Sequence, residues 1–133
     1  MQRDQMTRNS QQALQSARQL ALDRGHAEID AEHLLLALLE QPDGLIPNLL
    51  EKLNIKGRDL HQQLEQILAR RARVSGSGQE TIYLSSRLDR MLTKAQREAE
   101  SLKDEYISVE HLLLGLLSDE KSSELGRLFG QYS

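Results

Sequence analysis

The sequence predicts an all-α fold, a pseudo-twofold tandem of two four-helix repeats whose second copy lacks its last helix. Composition, periodicity and an internal repeat point there together. Gln, Glu, Arg, Leu and Ala are abundant, β-branched residues are scarce, and aromatics make up 3% of the 133 residues, so the core must be aliphatic. That balance favours helix over strand. Apolar residues recur three and four positions apart, the spacing of one helical face. The chain also contains itself: residues 29–39 (IDAEHLLLALL) return as residues 107–117 (ISVEHLLLGLL), an offset of 78. At that offset Leu14 pairs with Leu92, Ala17 with Ala95 and Ala21 with Ala99. Shared positions are mostly apolar and unshared ones mostly polar, so two copies keep one packing pattern under different surfaces.

The first helix is expected over about residues 7–24, with Ala13, Leu14, Ala17, Leu20 and Ala21 on one face. Its counterpart, about residues 85–103, shows Leu88, Met91, Leu92, Ala95, Ala99 and Leu102. Small alanines at matched positions allow close helix approach. Asp30 and Ser108 are natural N-caps for the second helix of each copy, and Glu32 and Glu110 sit in its first turn, where the helix dipole favours a carboxylate. That helix is apolar nearly all round and belongs at a domain centre. A third, short helix is expected to follow Pro47, a residue tolerated near a helix start. Here one residue is gained, and Ile46, Leu49, Leu50 and Leu53 pair with Leu125, Leu128, Phe129 and Tyr132. A fourth helix over about residues 58–73 turns Leu60, Leu64, Ile67 and Leu68 inward. Residues 74–80 (VSGSGQE) read as the link between copies. One domain results, with repeat 1 over about residues 7–73, a linker over about 74–82 and repeat 2 over about 83–133. The second copy stops where its fourth helix would begin, as expected of a longer parent chain.

A formal charge of −3 supplies no global field to recruit nucleic acid or an anionic membrane. The absence of Cys excludes disulfides, thiolate nucleophiles and Cys-ligated zinc, and fits a reducing cytoplasm. The first 20 residues have no apolar h-region, and the longest pure apolar run, residues 34–39, is far short of a membrane span. His33 and His111, each after a Glu in a helix's first turn, could suggest a metal site. Each sits inside its own repeat, however, and a site needs three or four convergent ligands, so hydrogen bonding at the helix start is the expectation. His26 and His61 are expected at the surface. The Arg70, Arg71 and Arg73 cluster stands at a helix C-terminus, where cations are favoured without any phosphate. Asp104, Glu105 and Glu110 are a dense carboxylate group with no accompanying nucleophile or oxyanion donors. Tyr83, Tyr106 and Tyr132 are candidate contact residues, Tyr being enriched at interfaces, although Tyr132 aligns with Leu53, taken as core.

The doubled EHLLL segment, Gln5-Met6-Thr7 before the first helix, the VSGSG link, Tyr83-Leu84-Ser85 and residues 103–111 (KDEYISVEH) closely resemble the Clp N-terminal repeat domain over essentially the whole chain. Most nearly they resemble its form in ClpB-type disaggregases, which are AAA+ chaperones. The resemblance implies a monomeric, non-catalytic domain joined to a hexameric ATPase ring. In ClpB-like proteins this domain engages exposed segments of unfolded or aggregated polypeptides and helps pass them to the pore. In ClpA and ClpC relatives it docks adaptor proteins, and both readings stay open. It also implies substrate-handling roles for Thr7, Asp104 and Glu110 beside an apolar groove that takes in Leu92. No cofactor is expected in this domain, with ATP and Mg belonging to later ATPase domains. No G-x-x-x-x-G-K-[ST] is present, and Gly76-Ser77-Gly78 lacks the Lys.

Overall fold

The computed structural model describes residues 5–74, 81–118 and 124–131. Among the described residues are seven α-helices and no strand: α1 (Arg8–Asp23), α2 (Ala31–Glu40), α3 (Leu45–Lys52), α4 (Gly57–Ala69), α5 (Ser86–Ser101), α6 (Val109–Leu117) and α7 (Glu124–Gly130). The internal repeat governs their placement. Helices α1 and α5 are each 16 residues long and start 78 positions apart, as do α2 and α6. The link expected over residues 74–80 lies almost wholly outside the described residues, as does Tyr132.

Each α1-type helix begins on a hydroxyl cap. The Thr7 hydroxyl accepts from the Ser10 N–H at 3.2 Å, and the Ser85 hydroxyl from the Leu88 N–H at 3.0 Å, satisfying donors that a first turn leaves open. Each ends in a turn whose last residue has positive φ. Gly25 holds φ 69°, with the His26 N–H reaching the Ala21 carbonyl at 2.9 Å. Lys103 holds φ 59°, with the Asp104 N–H reaching Ala99 at 2.9 Å. This left-handed cap suits Gly and strains Lys.

The core is one aliphatic cluster. Ala13, Ala17 and Ala21 of α1 and Leu88, Met91, Leu92, Ala95 and Ala99 of α5 are buried against the α2- and α6-type helices. Helix α2 is buried from Ala31 through Leu38 and packs on α1 and α4. Helix α6 is less covered: Leu114 is 44% exposed, whereas its equivalent Leu36 is buried. Helix α4 packs on α2, and among the described residues no helix does the same for α6. Two residues expected inside face out instead. Leu102 follows the end of α5 at Ser101 and is 58% exposed. Leu53 caps α3 and is exposed.

The two repeats are tied by a reciprocal exchange. The segment before α1 pairs in parallel with the segment before α6, at Met6 and Ile107. The segment before α5 pairs with the one before α2, at Leu84 and Ile29. The Thr7 N–H donates to the Ile107 carbonyl (3.1 Å) and the Ile107 N–H to the Gln5 carbonyl (2.7 Å). At the equivalent positions the Ser85 N–H donates to Ile29 (2.8 Å) and the Ile29 N–H to Tyr83 (2.9 Å). The buried Ser10 hydroxyl adds a bond to the Ile107 carbonyl at 2.9 Å.

Helices α5 and α6 approach closely at Gly115. A Cβ there would stand 2.5 Å from the Met91 carbonyl oxygen and 3.3 Å from the Ala95 Cβ. Gly115→Ala is therefore expected to destabilise the fold by about 1–3 kcal/mol through overpacking, read as a lower denaturant midpoint with unchanged slope. A midpoint at or above the parent's would show that α5 can move away at no cost.

Candidate functional site

The EHLLL motif builds two related polar corners, and their differences place the site. In each, the helix-start histidine closes a cap. The Asp30 N–H donates to His33 Nδ1 at 2.9 Å, and the Ser108 N–H to His111 Nδ1 at 2.9 Å. With Nδ1 accepting, a neutral ring carries its proton on Nε2, and that proton meets different partners. His33 Nε2 donates to His26 Nδ1 at 2.8 Å, and His26 is in turn hydrogen-bonded to the Leu68 backbone of α4. The His111 Nε2–H donates a hydrogen bond to Asp104 Oδ2 at 2.9 Å. Asp104 is the offset-78 equivalent of His26. Contrary to the surface placement expected from sequence, His26 is buried. His61 sits part-exposed against Glu40 at 2.9 Å. Among the described residues no group of three or more His, Asp or Glu side chains is placed to hold a metal ion.

The glutamates diverge more sharply. Glu32 is 0% exposed, a position costly for a carboxylate without ion partners. Arg87 supplies a two-pronged pair, NH1 to Oε1 at 3.1 Å and NH2 to Oε2 at 3.0 Å. Arg71, just past α4, adds NH2 to Oε1 at 3.1 Å. Asp30 joins the cluster, 3.5 Å from Arg71 and 3.4 Å from Arg87, and accepts from the Ser85 hydroxyl at 2.8 Å. One member of the sequence's arginine cluster, Arg71, is thus an internal counter-ion. Glu110, the equivalent of Glu32, is exposed and makes no ion pair among the described residues. The position equivalent to Arg87 is Asn9, whose amide donates instead to Asp43 at 3.1 Å.

Around Glu110 lies an open groove of about 480 Å³ lined by Leu102, Asp104, Glu105, Tyr106, Ser108, Glu110, His111 and Leu114. The turn at Lys103 swings the chain off α5, and the bridge at Ile107 returns it to α6. Leu102, Tyr106 (53% exposed) and Leu114 give this lining exposed apolar surface, and the carboxylates of Asp104, Glu105 and Glu110 share it. The structure thus brings together Asp104 and Glu110 of the residues singled out from the sequence. Thr7 caps α1 and bonds to Ile107 without lining the groove. Leu92, expected in the groove, is 3% exposed and belongs to the core. It points inward because the Met91/Leu92 face of α5 packs on α6, so a polar replacement there would report on folding. Two residues of the lining, Leu102 and Leu114, read as core by periodicity alone; Leu102 carries one sequence signal, standing where repeat 1 has Arg24, whereas Leu114 matches Leu36 and carries none.

A family model for the Clp repeat (R) N-terminal domain matches residues 5–131. "Chaperone protein ClpB" of Bacillus cereus is 42% identical over 128 residues, covering 95% of this chain and 14% of the relative. The protein of the same description in Nitratidesulfovibrio vulgaris is 44% identical over 129 residues, covering 96% of this chain and 15% of the relative. The chain thus spans 14 to 15% of the length of these relatives. The Hsp104 N-terminal domain from Candida albicans superposes with a TM-score of 0.83 at 22% identity, over 96% of this chain and 81% of that one, a likeness of fold.

The histidine pair makes the fold sensitive to acid. Burial, then the neighbouring His26, then Arg71 push His33 down to about 4 from 6.5, and burial followed by Arg71 lowers His26. Because the folded-state value lies below the unfolded one, the unfolded chain binds more protons between them, and stability falls as pH drops. The thermal midpoint is expected to decrease from about pH 6.5 to about pH 4 and then to level off for this group. Replacing His33 with Asn should shrink that slope, and an unchanged slope would place its origin elsewhere.

Proposed function

The chain belongs to the Clp repeat N-terminal domain family, and from that membership we propose that it serves as the non-catalytic N-terminal domain of a ClpB-type ATP-dependent protein disaggregase. In this role it weakly binds exposed apolar segments of unfolded or aggregated proteins and passes them to an ATPase ring. One observation carries the assignment of the site: Leu102, Tyr106 and Leu114 are exposed together on a groove lined also by Asp104, Glu105 and Glu110. The ClpB relatives support the chaperone context.

The physical fit is to promiscuous recognition. Apolar area gives affinity without reading a sequence, at about 25 cal/mol per Å² before association costs. A groove of this size leaves a small surplus, so affinities should be micromolar or weaker, as suits a domain that must hand its client onward. The carboxylates disfavour acidic segments and keep the exposed apolar surface from drawing copies of the chain together. Asp104 has two tasks, since the carboxylate that lines the groove also holds the His111 ring. ATP and Mg would be bound by other domains of the complete protein, in the cytoplasm. No helix among the described residues is long and apolar enough to cross a membrane.

Leu102→Asp and Leu114→Asp place a charge in the groove lining without touching the core. Each should weaken binding of a fluorescently labelled unfolded polypeptide by about ten-fold, order of magnitude from the lost apolar area, with circular dichroism unchanged. Full binding by both folded variants would remove this groove from client handling. Binding of a folded adaptor in place of unfolded chains would favour a ClpA- or ClpC-type role.

A further inference from the structure

The histidine pair of repeat 1 belongs to a hydrogen-bonded chain that joins three helices. The Asp30 N–H, at the start of α2, donates to His33 Nδ1 at 2.9 Å, and the His33 Nε2–H donates to His26 Nδ1 at 2.8 Å. His26, in the turn that ends α1, carries the chain on to the Leu68 backbone of α4. The Leu68 N–H is spent inside its helix, so the Leu68 carbonyl accepts, from His26 Nε2–H. All four ring nitrogens are then in use, two accepting and two donating, and both rings are buried.

Such a chain has no place for another proton. On His26 Nδ1 the proton meets the His33 N–H; on His33 Nδ1 it meets the Asp30 N–H. Either way an acceptor becomes a donor facing a donor, and a cation stands in a dry site. Arg24 at the end of α1 and Arg71 and Arg73 after α4 oppose that cation. Asp30 favours it, but Asp30 and Glu32 are already shared between Arg71 and Arg87 of α5. Asp23 and Glu65 stand beside His26, each engaged elsewhere, with Gln19 and with Arg24.

Of the three helices in the chain, α4 is the least held. It packs on α2 and α3, both of its own repeat, whereas α1 and α2 pack on each other and on helices of repeat 2. From this geometry we propose that the His33–His26 pair is an acid-sensitive latch on α4. A proton entering the pair releases α4 from α2, while the two bridges between repeats keep the other helices in place. The release bares an apolar face made of Leu60, Leu64, Ile67 and Leu68.

The direction follows from where the proton is held. With α4 gone, the rings lose the Leu68 acceptor and gain water, so the open form takes up protons near the ordinary value of 6.5, whereas the closed form holds His33 at about 4. The open form binds more protons between these values, and opening is favoured as pH falls. The opening constant should rise by up to about twenty-fold from about pH 7 to about pH 5.

Amide hydrogen exchange of the 133-residue chain tests the latch, with each rate divided by the intrinsic rate at the same pH. Over that interval the protection of the Leu64, Ile67 and Leu68 amides in α4 should fall by about ten- to twenty-fold, and that of the Leu92, Ala95 and Ala99 amides in α5 by less than about two-fold. In the His26→Gln/His33→Gln variant, whose amides each keep one acceptor and one donor, the fall at α4 should shrink to under about three-fold. Glu65→Gln, which weakens the hold of Arg24 on α4, should lower protection of α4 at every pH and leave its pH dependence as in the parent. An equal fall in α4 and α5 would mean global unfolding and overturn the proposal. A parent-like fall in the folded double variant would do the same, assigning the acid response to the ion pairs, as would its disappearance in Glu65→Gln.

Discussion

Two parallel bridges, Met6 with Ile107 and Ile29 with Leu84, hold the repeats in register, and nearly every other feature of the molecule is hung from them. Each crosses from one repeat to the other, so neither repeat completes its own entry into the α2-type helix. The same residues do local work: Thr7 and Ser85 give backbone N–H groups to the bridges and side-chain oxygens to the caps of α1 and α5. Capping and inter-repeat pairing are thereby fixed together, and four short backbone bonds set the positions of four helices.

Upon that symmetric frame the two polar corners have parted. In repeat 1 the motif's glutamate is buried and neutralised by two arginines, its histidine is hydrogen-bonded to a second histidine, and α4 covers the whole. In repeat 2 the glutamate is exposed, the histidine leans on an aspartate of the groove lining, and apolar side chains of that lining meet solvent. One corner is a structural lock between the repeats, since Arg87 and Ser85 come from the start of repeat 2. The other has the same geometry with its charges unspent. A buried ion cluster contributes mainly by leaving no charge uncompensated, so repeat 1 is bound to keep its partners, while an exposed carboxylate group is free to exchange them.

Much of this was legible in the residues. The helix count of repeat 1, the caps at Asp30 and Ser108, the inward faces of α1 and α4, and the pairing of α1 with α5 all follow from periodicity and the offset. Leu102 and Leu53 were expected in the core and are exposed, and His26 was expected at the surface and is buried. These three sit at helix ends or in the turns just past them, where spacing along the chain does not say which side a neighbour will cover. Leu92 lies mid-α5 on that helix's one apolar face and is buried, as spacing predicts; only the resemblance placed it beside a groove.

By itself, then, the sequence determined that this is an all-helical doubled module with an aliphatic core, because periodicity and self-similarity are properties of the linear chain. Only the tertiary structure decided which carboxylates are buried and which are offered to solvent. Glu32 and Glu110 occupy the same place in the same motif, and their burial depends on residues 39 and 55 positions away in the first case and on the lack of any such neighbour among the described residues in the second. Desolvation and ion pairing act through space, and two identical strings of letters acquire opposite roles once different neighbours fold over them.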